Sequence, residues 1–289
     1  MIKLNLYNET KSILKKYNIT ANKKLGQNFL IQDEIVQDII QASNVNKNDL
    51  IIEIGPGLGT LTKELLQSAG KVICIEIDTR MIQILNDRFK IYNNFELINK
   101  DVLKVNLKNL IKQEQKDNIL NVKIVANLPY YITTPIIMKL LEEKLEIDNI
   151  TVMVQKEVAD RLVDVPGGKN SGAITYAINY YTKPEKIIDV PNTSFLPIPE
   201  VNSSVIKLKV LQKPSVQVQD EKLLFKIIKT AFMQKRKTLL NGLTNGGIGK
   251  KNSIEEMLIN LGFDTNIRAE RLSLDDFARI CDYIETGKY

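Results

Sequence analysis

The run LIIEI (50–54) leads without a break into Gly55-Pro56-Gly57-Leu58-Gly59, and Leu58, Leu61, Leu65 and Leu66 then recur at helical spacing as far as Gly70. A short aliphatic run stopped by a glycine turn reads as a buried strand, and the leucine pattern behind it as an amphipathic helix. One such unit cannot bury both of its apolar faces, so the chain must supply neighbours. It does: VICIEI (72–77) precedes a predicted helix near 79–90, FELIN (95–99) one near 104–113, and VKIVAN (122–127) one starting at Pro135, a residue suited to a first helical turn. Upstream, Asp33 is positioned to cap a helix with Ile35, Val36, Ile39 and Ile40 on one face and Asn44 near its end. Repeated strand–helix units predict an α/β fold, a parallel sheet covered by helices on both faces.

The pattern changes after ITVMVQ (150–155) and the amphipathic EVADRLV. Segments around Ile174–Tyr181, Lys186–Val190 and Val205–Val210 alternate like strands, and the last two, without a long helix between them, predict an antiparallel strand closing the sheet. The polar, aperiodic QKPSVQVQDE (212–221) marks a boundary between residues 1–211 and 212–289. Beyond it the apolar spacing is helical throughout, as in Leu223, Leu224, Ile227, Ile228 and Ala231, which predicts a small all-helical second domain.

Composition narrows the chemistry. The 289 residues contain no histidine, so a Ser-His-Asp triad, a Cys-His pair and a His-ligated zinc site are all excluded. Cys74 and Cys281 stand in separate apolar segments, which permits neither a disulfide framework nor a Cys-rich metal site and suits a reducing cytoplasm. The N-terminal stretch is broken by charges and has no signal-like apolar core, and no run approaches the ~18 apolar residues of a membrane helix. The net charge of +6 is unevenly spread: residues 1–30 carry +5, residues 31–212 carry −2 and residues 213–289 carry +3. Basic flanks on a near-neutral middle are compatible with a polyanionic partner.

Gly55, Gly57 and Gly59 sit where a strand turns into a helix, so the backbone can approach a ligand closely. The spacing is GxGxG and departs from the GxGxxG of dinucleotide binders. Glu53 precedes the turn, Glu76 ends the second strand and Asp101 follows the third, which gathers three carboxyl groups at the carboxyl ends of consecutive strands, where open α/β sheets bind ligands. A carboxylate at the second position can accept from both ribose hydroxyls, and one at the third from an adenine amino group. Asp78 is expected to point the other way. At the end of the fourth strand stands Asn127-Leu128-Pro129-Tyr130-Tyr131. The Asn127 side-chain oxygen and the Leu128 carbonyl are two acceptors for the two N–H groups of an adenine amino group, and Tyr130 offers a ring face for the base.

With these residues in view, the chain resembles the ribosomal RNA adenine dimethyltransferases, in particular the small-subunit (16S) enzymes that dimethylate two adjacent adenines near the 3′ end of that RNA. The matching blocks run from about Lys23 to Phe277: KKLGQNFL (23–30), EIGPGLGTLT (53–62), EID (76–78), KDVL (100–103), NLPYYITTP (127–135), VQKEVADRL (154–162), FLPIPEVNSSVIKL (195–208), KRKTLLNGL (235–243) and RAERLS (268–273). The resemblance implies a Rossmann-like class I methyltransferase fold, with a mostly parallel seven-stranded sheet, an antiparallel last strand and a helical RNA-binding domain. It also implies S-adenosylmethionine as cofactor, with Asn28 and Leu30 closing over it, Gly55 against its amino acid part, Glu53, Gly57 and Gly59 in the same motif, Glu76 on the ribose, Asp101 on the adenine and Asn127 nearest the reacting centre. Leu128, Pro129 and Tyr130 would form the target-base pocket, Phe195 would cover the other face of the flipped base, and Lys235, Arg236 and Lys237 would meet RNA phosphates. Glu200 and Asn202 depart from the Lys and Asp of many relatives.

The expected reaction is in-line attack of adenine N6 on the sulfonium methyl, catalysed by orientation and polar contacts, with the product proton lost to water. The expected partner is 16S rRNA in the small subunit or its precursor, bound by a cytoplasmic monomer. Two other readings stay open, a macrolide-resistance type enzyme acting on large-subunit RNA and a non-catalytic assembly factor; a nicotinamide dehydrogenase is disfavoured by the glycine spacing.

Overall fold

The computed structural model describes residues 5–114, 121–234 and 237–287. Helix α1 (Leu6–Lys16) is followed by a two-residue strand β1 (Phe29–Leu30) and by α2 (Asp33–Ser43). Strand–helix units then repeat: β2 (Asp49–Ile54) with α3 (Thr60–Ser68), β3 (Lys71–Glu76) with α4 (Thr79–Phe89), β4 (Phe95–Asn99) with α5 (Leu107–Glu114), β5 (Asn121–Asn127) with α6 (Thr133–Glu142), and β6 (Asn149–Gln155) with α7 (Lys156–Leu162). Next come α8 (Ala173–Tyr181), β7 (Thr182–Val190), β8 (Phe195–Leu196) and β9 (Ser203–Val210), and then α9 (Glu221–Phe232), α10 (Leu239–Asn245), α11 (Lys251–Asn260) and α12 (Leu274–Glu285).

Seven strands form one sheet in the order β4-β3-β2-β5-β6-β9-β7. The pairs β2–β3, β3–β4, β2–β5 and β5–β6 are parallel, and β9 runs antiparallel to β6. All six residues of β2 are buried, as a central parallel strand covered on both faces requires. The order reverses at β2, whose successor β3 lies on one side and β5 on the other. A crevice therefore opens beyond the carboxyl ends of β2, β3 and β5. The opposite end of the sheet is held by a buried ion pair, Lys123 Nζ to Asp49 Oδ2 at 2.7 Å, and Lys123 also donates to the Asn44 carbonyl where α2 ends.

The chain divides into two compact units, one running to Ala159 and including Glu185–Val210, the other comprising Asp160–Pro184 and the residues from Leu211 on. The segment around Ile174–Tyr181, read above as a strand, is the helix α8. Six of its nine residues are buried, so its apolar side chains face every direction and no period of two or 3.6 stands out. Tyr176 shows where it belongs: its ring packs on Phe232 and Phe277, and its hydroxyl donates to the Leu272 carbonyl at 2.5 Å. The change of unit at Leu211 lies beside the boundary expected at 211/212, but Asp160–Pro184 joins the second unit, not the first.

Smaller differences are local. Gln32, not Asp33, is the cap residue of α2, and the Asp33 carboxylate accepts from the Leu6 amide instead. Helix α6 begins at Thr133, with Pro135 inside its first turn, and α5 begins at Leu107 behind a 3₁₀ turn at Val102–Lys104. Among the described residues, no helix is long and apolar enough to cross a membrane.

Candidate active site

The loop after β2 places three glycines in the left-handed region, with φ of 66° at Gly55, 57° at Gly57 and 82° at Gly59. Their roles differ. A Cβ on Gly59 would lie 2.3 Å from Phe89 Cε2, so this glycine lets α3 start against α4 and does not reach the crevice. Gly55 and Gly57 line it. The Gly57 amide donates to Glu76 Oε2 at 3.2 Å, while the Asp78 amide donates to Oε1 at 2.8 Å. Glu76 is thus oriented from both sides at the end of β3. Burial raises its pKa, an effect that these amide bonds partly offset.

Glu53 is 1% exposed and turned inward. Its Oε2 accepts from the Thr62 hydroxyl at 2.6 Å and from Cys74 Sγ at 3.4 Å. Burial pushes the carboxyl up to about 7, against the two hydrogen bonds and with a further upward push from the Glu76 carboxylate. The Cys74 thiol is itself pushed well up by burial and by Glu53. Asp101 is half-buried just past the end of β4, caps the 3₁₀ turn through the Leu103 amide, and lines the crevice.

The segment ahead of β1 covers the same opening, anchored from the turn between β3 and α4. Gln27 accepts from the Asn22 amide through Oε1 and donates through Nε2 to Asp78 Oδ2 at 2.8 Å. Asp78, as expected, does not line the crevice; it caps α4 and is gripped by Arg80. Burial works against its charge, but Arg80 and Gln27 outweigh it and hold the carboxyl below its ordinary value. The Gln27–Asp78 bond spans 51 residues and was not foreseen from the sequence; the only signal was Gln27's place inside the KKLGQNFL block. It fixes the loop whose next residue, Asn28, presents its carbonyl to Asn127 Nδ2 at 3.3 Å. With its nitrogen so engaged, the Asn127 amide keeps Oδ1 as the end available to accept.

Leu128 is buried, and its amide donates to the Met153 carbonyl. The Pro129 carbonyl accepts from Ile132 and Thr133, which locks the turn into α6. Tyr130 is half-buried and its hydroxyl shares a 2.7 Å hydrogen bond with Ser203 Oγ of β9; burial raises its pKa. Leu30 lines the crevice and pairs through its backbone with Phe195 in the β1–β8 ribbon. Phe195 itself is 1% exposed, packed in the core, and does not line the crevice. Of the basic residues expected to meet RNA, Lys235 and Arg236 lie outside the described residues, and Lys237 is exposed. Glu200 is exposed, and Asn202 accepts from the Asn192 amide, a turn-closing contact.

The structure therefore gathers Asn28, Leu30, Glu53, Gly55, Gly57, Glu76, Asp101, Asn127, Leu128, Pro129 and Tyr130 around one cavity of about 200 Å³, several times the roughly 30 Å³ share of a water molecule. A family model described as ribosomal RNA adenine dimethylase matches residues 18–286. The chain belongs to the ribosomal RNA adenine dimethylase family. It is 45% identical over 286 residues to ribosomal RNA small subunit methyltransferase A of Clostridioides difficile, covering 99% of this chain and 98% of the relative. The protein of the same description from Alkaliphilus oremlandii is 46% identical over 270 residues, 93% of each chain. Among solved structures, a dimethyladenosine transferase from Plasmodium falciparum superposes with a TM-score of 0.75 at 27% identity, over 90% of this chain and 98% of that one. The 23S rRNA methyltransferase ErmE shares the fold, with a TM-score of 0.67 at 21% identity, over 89% of this chain and all of the other.

Ribosomal RNA adenine dimethylases are enzymes that use S-adenosylmethionine, and the cavity suits that molecule chemically. Its carboxyl groups Glu76 and Asp101 match a ligand with a sulfonium cation, an ammonium group and ribose hydroxyls, while Leu30, Ile54, Ile77 and Val102 provide apolar wall for an adenine ring.

Proposed function

We propose that this ribosomal RNA adenine dimethylase transfers methyl groups to N6 of two adjacent adenines near the 3′ end of small-subunit (16S) ribosomal RNA. The observation that carries the reading is Asn127: at the rim of a carboxylate-lined cavity, its amide is oriented by the Asn28 carbonyl so that Oδ1 is left to accept. When bound, S-adenosylmethionine supplies an electrophilic methyl group on a sulfonium. Glu76 receives the ribose hydroxyls, Asp101 the adenine amino group and Gly55 the amino acid part, under Asn28 and Leu30. Glu53 forms the buried floor behind Gly55 and Gly57.

An adenine amino group is a weak nucleophile because its lone pair is delocalised into the ring. Asn127 Oδ1 and the Leu128 carbonyl accept its two N–H bonds, which favours a pyramidal nitrogen with a localised lone pair. Each bond is worth on the order of 1 kcal/mol net, more as positive charge develops on the nitrogen. The Tyr130 ring faces the base and is held in place by its bond to Ser203. Phe195 acts from behind, through the β1–β8 pairing that seats Leu30. The ammonium-like product is acidic enough to lose its proton to water, so a chain without histidine lacks nothing for this reaction. Lys235, Arg236 and Lys237 contact RNA phosphates in this reading. The basic ends of the chain support that contact, and in this reading the enzyme acts as a cytoplasmic monomer on the small subunit or its precursor.

Transfer of label from radioactive S-adenosylmethionine to unmethylated small and large subunits tests this, beside Asn127→Ala. Dimethyladenine in small subunits alone, lost with Asn127→Ala, is the expected result. Label in large-subunit RNA would overturn the substrate, and tight binding to small subunits without transfer would leave an assembly factor.

A further inference from the structure

The stretch from Lys100 to Lys108 is built to present charge. Val102, Val105 and Leu107 are buried and pin it to the first unit, which turns Leu103, Lys104 and Lys108 outward. Lys100, Lys104 and Lys108 are exposed and form no ion pair among the described residues. Leu103 stands at the junction of two openings: it lines the active-site cavity, and it borders a shallow open groove formed with Lys104, Asn106, Lys108, Lys139 and Glu143. Lys139 is already paired with Glu143, so Lys104 and Lys108 hold the groove's uncompensated charge. At the cavity mouth, large apolar side chains are left in solvent, with Leu103 37% and Tyr131 55% exposed.

Apolar and aromatic surface interleaved with free lysines is the chemistry of a single-stranded nucleic acid platform, in which bases stack and phosphates meet cations. A base drawn into the cavity brings its flanking nucleotides to the mouth. Their phosphates cannot lie along the carboxylates of the cavity and are drawn to the side where positive charge is free. We infer that the groove beyond Leu103 holds the RNA backbone adjoining the target adenine, with Lys104 and Lys108 on its phosphates and Tyr131 and Leu103 against the neighbouring bases. This rests on the functional reading above and adds to it a second RNA contact, on the catalytic unit.

The test is equilibrium binding of the full chain to unmethylated small-subunit particles across a salt series. For Lys104→Ala/Lys108→Ala, the slope of log affinity against log salt falls by about 1.4, at about 0.7 per single-strand phosphate contact. Tyr131→Ala weakens binding by about tenfold or more, in line with a lost stacking platform. Lys112→Ala, exposed on α5 with Lys108 but outside the groove, behaves as the parent, and the double lysine variant keeps parental S-adenosylmethionine affinity and melting temperature. Parental affinity and slope in the double variant, with methyl transfer intact in the parent, overturns the inference alone. A parent that transfers no methyl to small-subunit RNA overturns the functional reading, and the inference with it.

Discussion

Glu53 is a carboxyl group whose burial makes stability depend on pH in a calculable direction. In the unfolded chain it titrates near 4.5, and in the folded protein near 7, because water is excluded and the Thr62 and Cys74 donors compensate only in part. The folded state therefore holds this proton more tightly than the unfolded state does. Its favourable contribution is fully present below pH 4.5, declines as pH rises from there to 7, and is absent above. At 1.36 kcal/mol per pKa unit, the interval amounts to about 3 kcal/mol. Glu53→Gln keeps the size of the side chain and removes the titration. Its stability minus that of the parent should rise by about 3 kcal/mol between pH 4.5 and 7 and stay level at higher pH. The chain has no tryptophan and consists of two units, so native-state hydrogen exchange at the amides of β2 and β5 is the appropriate assay, reporting on the unit that contains Glu53. Parallel pH–stability curves for parent and variant would refute the reasoning and mean that Glu53 stays ionised through contacts other than those described.

Two further predictions concern packing and positioning. Gly59→Ala combines a φ of 82° with a Cβ 2.3 Å from the Phe89 ring, and native-state hydrogen exchange in the unit that contains it should show a loss of about 2–4 kcal/mol. Adding Phe89→Leu should recover part of that loss, because the ring atoms at the clash are removed while the backbone strain stays. Gln27→Ala and Asp78→Ala should each lower the single-turnover rate of methyl transfer by about tenfold, and in a double-mutant cycle the two effects should overlap by about 1 kcal/mol, since both act through the loop that presents the Asn28 carbonyl. Additive losses would assign Asp78 only its role in capping α4.

How much of this was legible in the sequence depended on how local the cause was. The strands β2 to β6 and the helices after them announced themselves through apolar spacing, because a strand or helix in a layered fold must show its period along its own few residues. The glycine turn, the acids at the strand ends and the Asn127–Tyr130 corner were equally visible, since the ends of successive parallel strands necessarily meet on one edge of the sheet. Helix α8 escaped because it is buried on nearly every side, and burial without a polar face erases periodicity. The inward turn of Glu53 toward Thr62 and Cys74, the grip of Asp78 on Gln27, the Asn28 carbonyl against Asn127 and the disappearance of Phe195 into the core join residues 9 to 99 positions apart or depend on packing from several elements at once. Whether Lys104 and Lys108 share a groove with Lys139 is a question of the same kind. The order of residues determined which segments would become strands and helices and which chemical groups would stand at their ends. Only the tertiary structure decided which of those groups face the cavity, which are sealed behind it and which hold the others in place, because side-chain direction and solvent exclusion are set by neighbours that come from elsewhere in the chain.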